Sequence, residues 1–576
     1  MLDLSTVVGR GTPDADALAD VEAAENFWGS LPRHDPVEMQ RRLCNELAKG
    51  ASWDKLDINR FRALRVLDRR AGRLLEGIVA EYAVLGGQSP ALERPLWQAA
   101  LEMTRSFAHD FDRFLRAIHT GAAGSAWQER MPELLVRLFR HREIELLLAM
   151  FRYIKWPRGR WKSLHDAFRF ATANGLATRA VPTGKRADGS LITVTPEHVY
   201  VRILLLQLLD GGQFRPEEIA WARRAIVDWS KGLGLRELPA VPHDDESRNG
   251  FIVDLAGTKG LTHINGTVAG DLLWLDTGPI ADSINAAIAE RGDIAAKTAT
   301  SGLQAGQRSL LGKLQLLYAP QSKRIKRRGE RTAVTLMSVE AMVGGLQGVF
   351  RVLGEEAQRA ISVATVPMPY ADQITITDVD RARAARGPAP ADSPAGSVGA
   401  GYDVLSSTWH VRDRSDSGCR LRGRVPDARR LLPGLLVALR NDKLSPWTVA
   451  VVRRLNRLTG NNVEIGVEHI GRNPQRIILL SDPAGLESGV PSETRSDRFV
   501  ALYLPESDAC PRIPIKTLLM PACEFVPGRV VTMLSTMQEV VIRLRKPLEH
   551  QAEFVWASFE PLDGASSADS ASYAVQ

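Results

Sequence analysis

From residue 1 to about 235 the apolar positions recur three and four apart with few β-branched runs. That is the period of amphipathic helices, so the stretch reads as helical throughout. Two segments carry full start and stop signals. DPVEMQRRLCNELAKG offers Asp35 as a cap, Pro36 for the first turn, Glu38 at the capping-box position and Gly50 as a left-handed stop. TPEHVYVRILLLQLLDGG repeats the design with Thr195, Pro196 and the pair Gly211 and Gly212. Its VYVRILLLQLL core is the most apolar run of the chain. It is broken by Arg202 and Gln207 and is far shorter than the roughly 20 residues a bilayer crossing needs, so a buried helix is expected. Stacked helical hairpins, as in a tetratricopeptide-like array, suit this pattern, although no fixed-period repeat marks them.

After residue 235 the pattern changes. FIVDLAG, GLTHI and DLLWLDTG are short strand-like runs divided by glycines, and PIADSINAAIAERG follows as one helix, which predicts a small mixed α/β unit over 236–312. Residues 313–480 alternate with period two. Trp447, Val449 and Val451 share one strand face, Val463, Ile465 and Val467 share the next, and Glu464 and Glu468 face outward, as in an antiparallel barrel. An insertion over 345–401 interrupts this unit. It holds a helical stretch and RARAARGPAPADSPAGSVGAG, which is too poor in apolar surface to order itself and reads as a flexible loop. Beyond Ser481, RFVALYL, IKTLLM, RVVTML, EVVIRL and EFVWASF are strands of a second small β-rich domain over 481–562, and DGASSADSASYAVQ, 563–576, reads as a disordered tail. The expected fold class is α+β and multidomain: an all-helical domain, an antiparallel β-barrel, then a second β domain.

Composition changes this picture little. At 576 residues the chain is long enough for several cores, and 44% hydrophobic with 24% charged residues is ordinary for a globular protein. A net charge of +7 over this length is a mild bias toward anionic partners. MLDLSTVVGRGTPDADAL has neither the basic start nor the apolar middle of a secretory signal, so a cytoplasmic location is expected. Cys44, Cys419, Cys510 and Cys523 are scattered without ligand spacing; they read as buried thiols rather than a disulfide frame or a metal site.

Three stretches suggest chemistry and lose it on inspection. In VPHDDESRNG, His243, Asp244, Asp245 and Glu246 are adjacent rather than spaced on one face, so a solvated loop is expected. WLDTGPI contains the Asp-Thr-Gly of aspartic proteases, but there is no matching second loop to share a proton with Asp276; a helix cap by Asp276 or Thr277 is expected instead. FRYIKWPRGRWKSL mixes cations with Phe151, Tyr153, Trp156 and Trp161, which suits either a nucleic-acid platform or helix packing with aromatics inside. With no phosphate-cradling glycine loop and no nucleophile elbow, no catalytic residue, cofactor or metal is assigned, and a non-enzymatic protein is expected.

What remains is WHVRDRSDSGCRLRG, 409–423, where a strand turns and returns carrying Asp-x-Ser-x-x-Gly among arginines at 412, 414, 420 and 422. Upstream, SKRIKRRGERTAVTLMSV places Arg327 and Arg331, and in a second register Arg324 and Arg328, in Arg-x-x-x-Arg spacing just before a β-patterned segment. A plain reading is open at both places. Asp413 and Ser415 suit a turn by bonding backbone N–H groups, Gly418 suits a positive φ, and the arginines suit a solvated basic segment.

Taken in order, Arg-x-x-x-Arg, Asp-x-Ser-x-x-Gly, then LLPGLLVALR, WTVAVVRRL and VEIGVEHI, this segment resembles the PilZ domain, a bacterial receptor module for cyclic di-GMP. The resemblance covers 313–480, with the two motifs set unusually far apart by the insertion. It implies that Arg327 and Arg331, or Arg324 and Arg328, clamp the ligand, that Asp413 and Ser415 meet a guanine edge, and that Gly418 permits the turn. Arginine suits such a ligand because its fork bonds phosphate or guanine O6 and N7 bidentately and its face stacks on a purine. The implied protein is a cytoplasmic bacterial signalling receptor that passes the bound state to an unidentified protein partner through its helical or carboxy-terminal β domain. A scaffold with a degenerate barrel that binds protein only, and a basic nucleic-acid-binding protein, are the other readings.

Overall fold

A computed structural model describes residues 16–49, 56–85, 90–120, 127–185, 189–210, 212–237, 250–263, 271–297, 302–318, 331–335, 337–364, 405–425, 431–442, 445–481, 498–505, 515–534 and 539–562. The chain divides into two compact units. The first comprises Met1–Arg327 with Val425–Ala428 and Arg454–Glu464; the second comprises Arg328–Arg424 with Arg429–Arg453 and Ile465–Gln576. Gly50, residues 241–249, the 381–401 loop and the tail 563–576, all invoked above, lie outside the described residues.

In the first unit, helices α1 (Val21–Ser30), α2 (Pro36–Lys49), α3 (Ile58–Leu85), α4 (Pro90–His119), α5 (Met131–Phe151) and α6 (Arg158–Ala173) come first. The hairpin β1 (Val181–Lys185) and β2 (Leu191–Val194) precedes α7 (Pro196–Gln207) and α8 (Pro216–Trp229). This hairpin corrects the all-helical reading of 1–235. The capping signals act as expected: Asp35 Oδ1 accepts from the Val37 and Glu38 amides, and Thr195 Oγ1 accepts from His198. The Glu38 carboxylate departs from its capping-box role, meeting Arg41 and Arg42 instead. At the end of the second capped segment Gly212 takes φ +63, and its carbonyl accepts the Leu455 N–H at 2.9 Å.

The strands β3 (Arg236–Glu237), β4 (Gly250–Asp254) and β5 (Leu272–Asp276) form one antiparallel sheet in the order β3-β5-β4, followed by α9 (Gly278–Lys297) and α10 (Gly302–Tyr318). This part shares the core of the preceding helices: Phe251, Val253, Leu275, Ile284, Leu311 and Tyr318 are all buried with them. Residues 313–318 are therefore the end of a helix, not the first strand of a barrel. The Asp276 side chain does the capping, its Oδ1 accepting from the Gly278 amide, while the Thr277 hydroxyl ties down the end of α10 by donating to the Tyr318 carbonyl.

Helix α5 is the hub of this unit because it is buried nearly all round, charges included. Its Glu143 takes Arg202 from α7 at 2.7 Å and Arg223 from α8 at 3.0 Å, and His141 meets Asp68 of α3 at 2.7 Å. A buried charge is tolerated only when paired in this way. Asp110 of α4 is the exception: it is 2% exposed, its Oδ2 has no hydrogen-bond partner among the described residues, and the Arg113 guanidinium lies 3.8 Å from Oδ1. Burial outweighs that cation and pushes its carboxyl up to about 7. A raised carboxyl contributes stability that is fully present below its unfolded value near 4 and is lost as pH rises to about 7. Asp110→Asn should therefore match the parent near pH 4 and gain roughly 4 kcal/mol at pH 8, measured by thermal unfolding at both pH values.

The second unit holds two β-barrels. β6 (Thr332–Ala333), β7 (Ser338–Val343), β8 (Leu405–Ser415), β9 (Gly418–Arg424), β10 (Leu436–Arg440), β11 (Thr448–Arg457) and β12 (Asn462–Arg472) run in the order β6-β8-β7-β10-β11-β12-β9, and a β8–β9 pairing closes the ring. The insertion between β7 and β8 begins as helix α11 (Gly345–Ala364), the helical stretch expected there, and seats Leu346, Val349 and Phe350 in the core. The second barrel is closed in the order β13-β14-β15-β18-β17-β16, from β13 (Gln475–Ser481), β14 (Arg498–Leu504), β15 (Thr517–Pro521), β16 (Val530–Leu534), β17 (Glu539–His550) and β18 (Phe554–Pro561). β13 falls before residue 481 yet pairs with β14 and β16, so the first barrel ends at Arg472.

The outer faces of both barrels share a core. Trp447, Val449 and Val451, grouped by their alternation, pack there with Leu502, Leu504 and Trp556. Arg453 of β11 is held between Glu468 of β12 and a bidentate Glu549 from β17. The expected α+β multidomain architecture, helices first and antiparallel barrels after, is the one the chain adopts.

Candidate functional site

In the 409–423 hairpin, His410 pairs with Arg422 and Val411 with Leu421, but the next register pair is Asp413 with Arg420, then Arg414 with Cys419 and Ser415 with Gly418. One extra residue, a β-bulge, lies between Val411 and Asp413. Directly opposed residues share a face, and without the bulge period two would send Val411, Asp413 and Ser415 all to the barrel interior. With it, Val411, Arg414 and Cys419 face inward, and Asp413 stands with Arg420 on the outside. On the other edge of β8, Ala333 pairs with Asp413, which sets Arg331, two residues earlier, on that same outer face.

Three adjacent strands thus bring Arg331, Asp413 and Arg420 together. Arg331 Nη1 donates to Asp413 Oδ1 at 2.7 Å, and Arg420 Nη2 meets Oδ2 at 2.6 Å. The Asp413 side chain is 10% exposed, while the two arginine side chains are 40% and 45% exposed, so the carboxylate is fixed and the cations stay partly open to solvent. Arg422 and Arg424 continue the basic face of β9 and are exposed.

Of the residues singled out in sequence, Arg331, Asp413, Ser415 and Gly418 are brought to this hairpin; Arg324, Arg327 and Arg328 lie outside the described residues. The turn reading of Asp413 gives way, because both its oxygens receive guanidinium groups. Ser415 Oγ donates to the Gly418 carbonyl at 3.2 Å rather than bonding a backbone N–H. Gly418 does not take a positive φ. Its requirement is space: an added Cβ would stand 2.1 Å from the Val467 carbonyl oxygen of β12. Gly418→Ala should therefore force β9 and β12 apart and cost about 1–3 kcal/mol, seen as a lower Tm of the folded chain.

Arg420 was visible in the sequence as one of several arginines; its role depends on the bulge, which leaves no mark in the pattern. The inward neighbour Cys419 lies 3.8 Å from His469 Nε2, a spacing that invites a nucleophile–base reading. Burial pushes the Cys419 thiol up to about 12 and the His469 imidazole down to about 4, so at neutral pH the pair is thiol and neutral ring, without the thiolate such chemistry needs. The nucleic-acid platform also fails. Phe151, Tyr153, Trp156 and Trp161 are all buried, Phe151 is stacked on Tyr82 and Trp156 is edge-on to Trp161, which leaves no face for a base. Cysteine burial holds for Cys419, but Cys44 is half-buried and Cys523 exposed, with Cys510 outside the described residues. No helix among the described residues is long and apolar enough to cross a membrane.

Comparison with known families gives one result for the helical part: residues 22–240 match the family model described as "Cyclic-di-GMP receptor FimW, N-terminal domain". The match covers α1 to α8 and β1 to β3, not α9 and α10 or the barrel that carries the arginine and Asp-x-Ser-x-x-Gly motifs. No curated protein and no solved structure matches the chain.

Proposed function

We propose that this protein is a cyclic di-GMP receptor whose first barrel, PilZ-like in its motifs, binds the messenger on the outer face of β6, β8 and β9. The observation that carries this reading is the convergence of Arg331 and Asp413, 82 positions apart in the chain, at 2.7 Å. The match of the helices to a domain of a cyclic di-GMP receptor supports it independently. Each Asp413 oxygen spends one lone pair on an arginine and keeps another, so the carboxylate can accept guanine N1–H and N2–H while both cations stay beside it. Arg331 and Arg420 then turn their exposed flanks to the phosphates and the purine face. Arg331 at this position favours the Arg327 and Arg331 register, in which Arg327 comes four residues earlier in the sequence. Ser415 closes the hairpin and adds one hydroxyl, and Gly418 allows the tight approach to β12.

On this reading the protein works in the cytoplasm, binds rather than catalyses, and passes the bound state to a protein partner. The arginines that precede β6 in the sequence add further charge for the messenger's phosphates. Calorimetric titration of the full chain with cyclic di-GMP tests it: saturable heat at micromolar ligand is expected. No heat from folded protein at high micromolar concentration would leave the barrel as a scaffold and reject the receptor.

A further inference from the structure

The bulge that sends Asp413 outward sends Arg414 inward, and there it meets a cavity. A cleft of about 480 Å³ opens at the end of the first barrel where β7, β9 and β11 begin and β8, β10 and β12 end. All six ring strands line it. Met337, Val339, Val411 and Leu439 form an apolar floor, and Arg414, Arg440 and Arg472 stand around it.

We propose that this barrel mouth is a second binding site, distinct from the outer face, for a small organic anion with an apolar body. Pockets of this kind, an apolar lining with a few convergent polar groups, recur in barrel mouths. Against three arginines, Asp416 is the one carboxylate among the described lining residues. Arg440 is committed on the outer face, with Glu340 at 2.6 Å and the Trp447 ring 4.3 Å from its guanidinium, so the ligand's charge falls to Arg414 and Arg472. Arg414 and Arg472 are exposed and have no carboxylate within salt-bridge distance among the described residues, so their donors are available to an incoming carboxylate, sulfonate or phosphate.

Asn441 and Ser445 add neutral hydrogen-bonding groups at the rim, and His469 is held uncharged by burial and by the nearby Arg414, so the wall adds no charge at neutral pH. Thr448, paired with Leu439 on the inner face, marks the border between floor and rim. The volume suits a body of one or two rings or a short chain, which separates this site from a surface that grips a flat dinucleotide.

Anilinonaphthalene sulfonate, a fused-ring body with one anionic head, is the probe. Fluorescence titration of the full chain should show saturable binding of one probe per chain. Arg472→Glu should weaken it by about tenfold or more, in line with loss of a charge-assisted contact, and Arg472→Lys should recover part of the loss. Arg472 is not part of the Arg331–Asp413–Arg420 surface, so Arg472→Glu should leave cyclic di-GMP titration heats unchanged; that arm keeps this inference separable from the receptor reading. Absence of saturable binding, equal binding by Arg472→Glu, or displacement of the probe by cyclic di-GMP would each overturn a separate site in the mouth.

Discussion

Asp413→Ala is expected to erase discrimination between cyclic di-GMP and cyclic di-AMP. Guanine offers N1–H and N2–H side by side to one carboxylate, and adenine has no such pair of donors. Two charge-assisted bonds at about 1.5 kcal/mol or more each amount to roughly 3 kcal/mol, or on the order of 100-fold in affinity. Arg331→Ala should behave differently, because phosphate and stacking contacts do not depend on the base: both dinucleotides should weaken together. Fold should survive both changes. The arginines released by Asp413→Ala are nearly half exposed and return to water, so the cost is within about 1 kcal/mol. Titration of each variant with both dinucleotides, beside its thermal unfolding, checks the prediction. An unchanged ratio in folded Asp413→Ala would remove Asp413 from the binding surface.

The largest loss of stability is expected at Glu143. Its carboxylate is 3% exposed and is the shared partner of Arg202 and Arg223, so Glu143→Ala leaves two cations facing each other beside α5 and should cost about 3–5 kcal/mol. Burial by itself would raise this carboxyl; the two guanidinium groups win and hold it at about 2. A lowered acid contributes stability that is present above its unfolded value near 4.5 and lost as pH falls through about 2. Acid unfolding of the parent should therefore be steeper between pH 5 and pH 2 than that of Glu143→Gln, which has no charge to lose there. Chemical unfolding of the helical unit across that pH range measures both effects.

Local rules made much of the fold readable. Asp35 and Thr195 cap because a short polar side chain before a proline has few other uses, and Trp447, Val449 and Val451 align because a strand alternates. What the sequence hides is pairing. Gln475–Ser481 alternates like any strand, and nothing in it says that it closes the second barrel rather than the first. The β1–β2 hairpin escapes because little of it is buried: Val181 and Val194 face the core, while Leu191 and Ile192 are exposed and Gly184 breaks the alternation. Residues 250–318 look separate by composition, yet Phe251, Leu311 and Tyr318 lie in the helical core. At the site, Arg331 and Asp413 were legible as motif residues. Arg420 was not, because which of the arginines at 412, 414, 420 and 422 shares a face with Asp413 depends on one unpaired residue.

That unpaired residue makes the hairpin a matter of counting. Insert one residue between Arg420 and Leu421, so that Arg412 gains a partner, and the two strands would run in simple step to the turn: the carboxylate at 413 would swing to the face of Val411 inside the wall, and the guanidinium of Arg414 would take its place in water. One added codon, with every letter of the motif kept, is enough to turn the carboxylate away from the outer face, so chains that look alike in the residues usually used to classify them can differ in what that face presents.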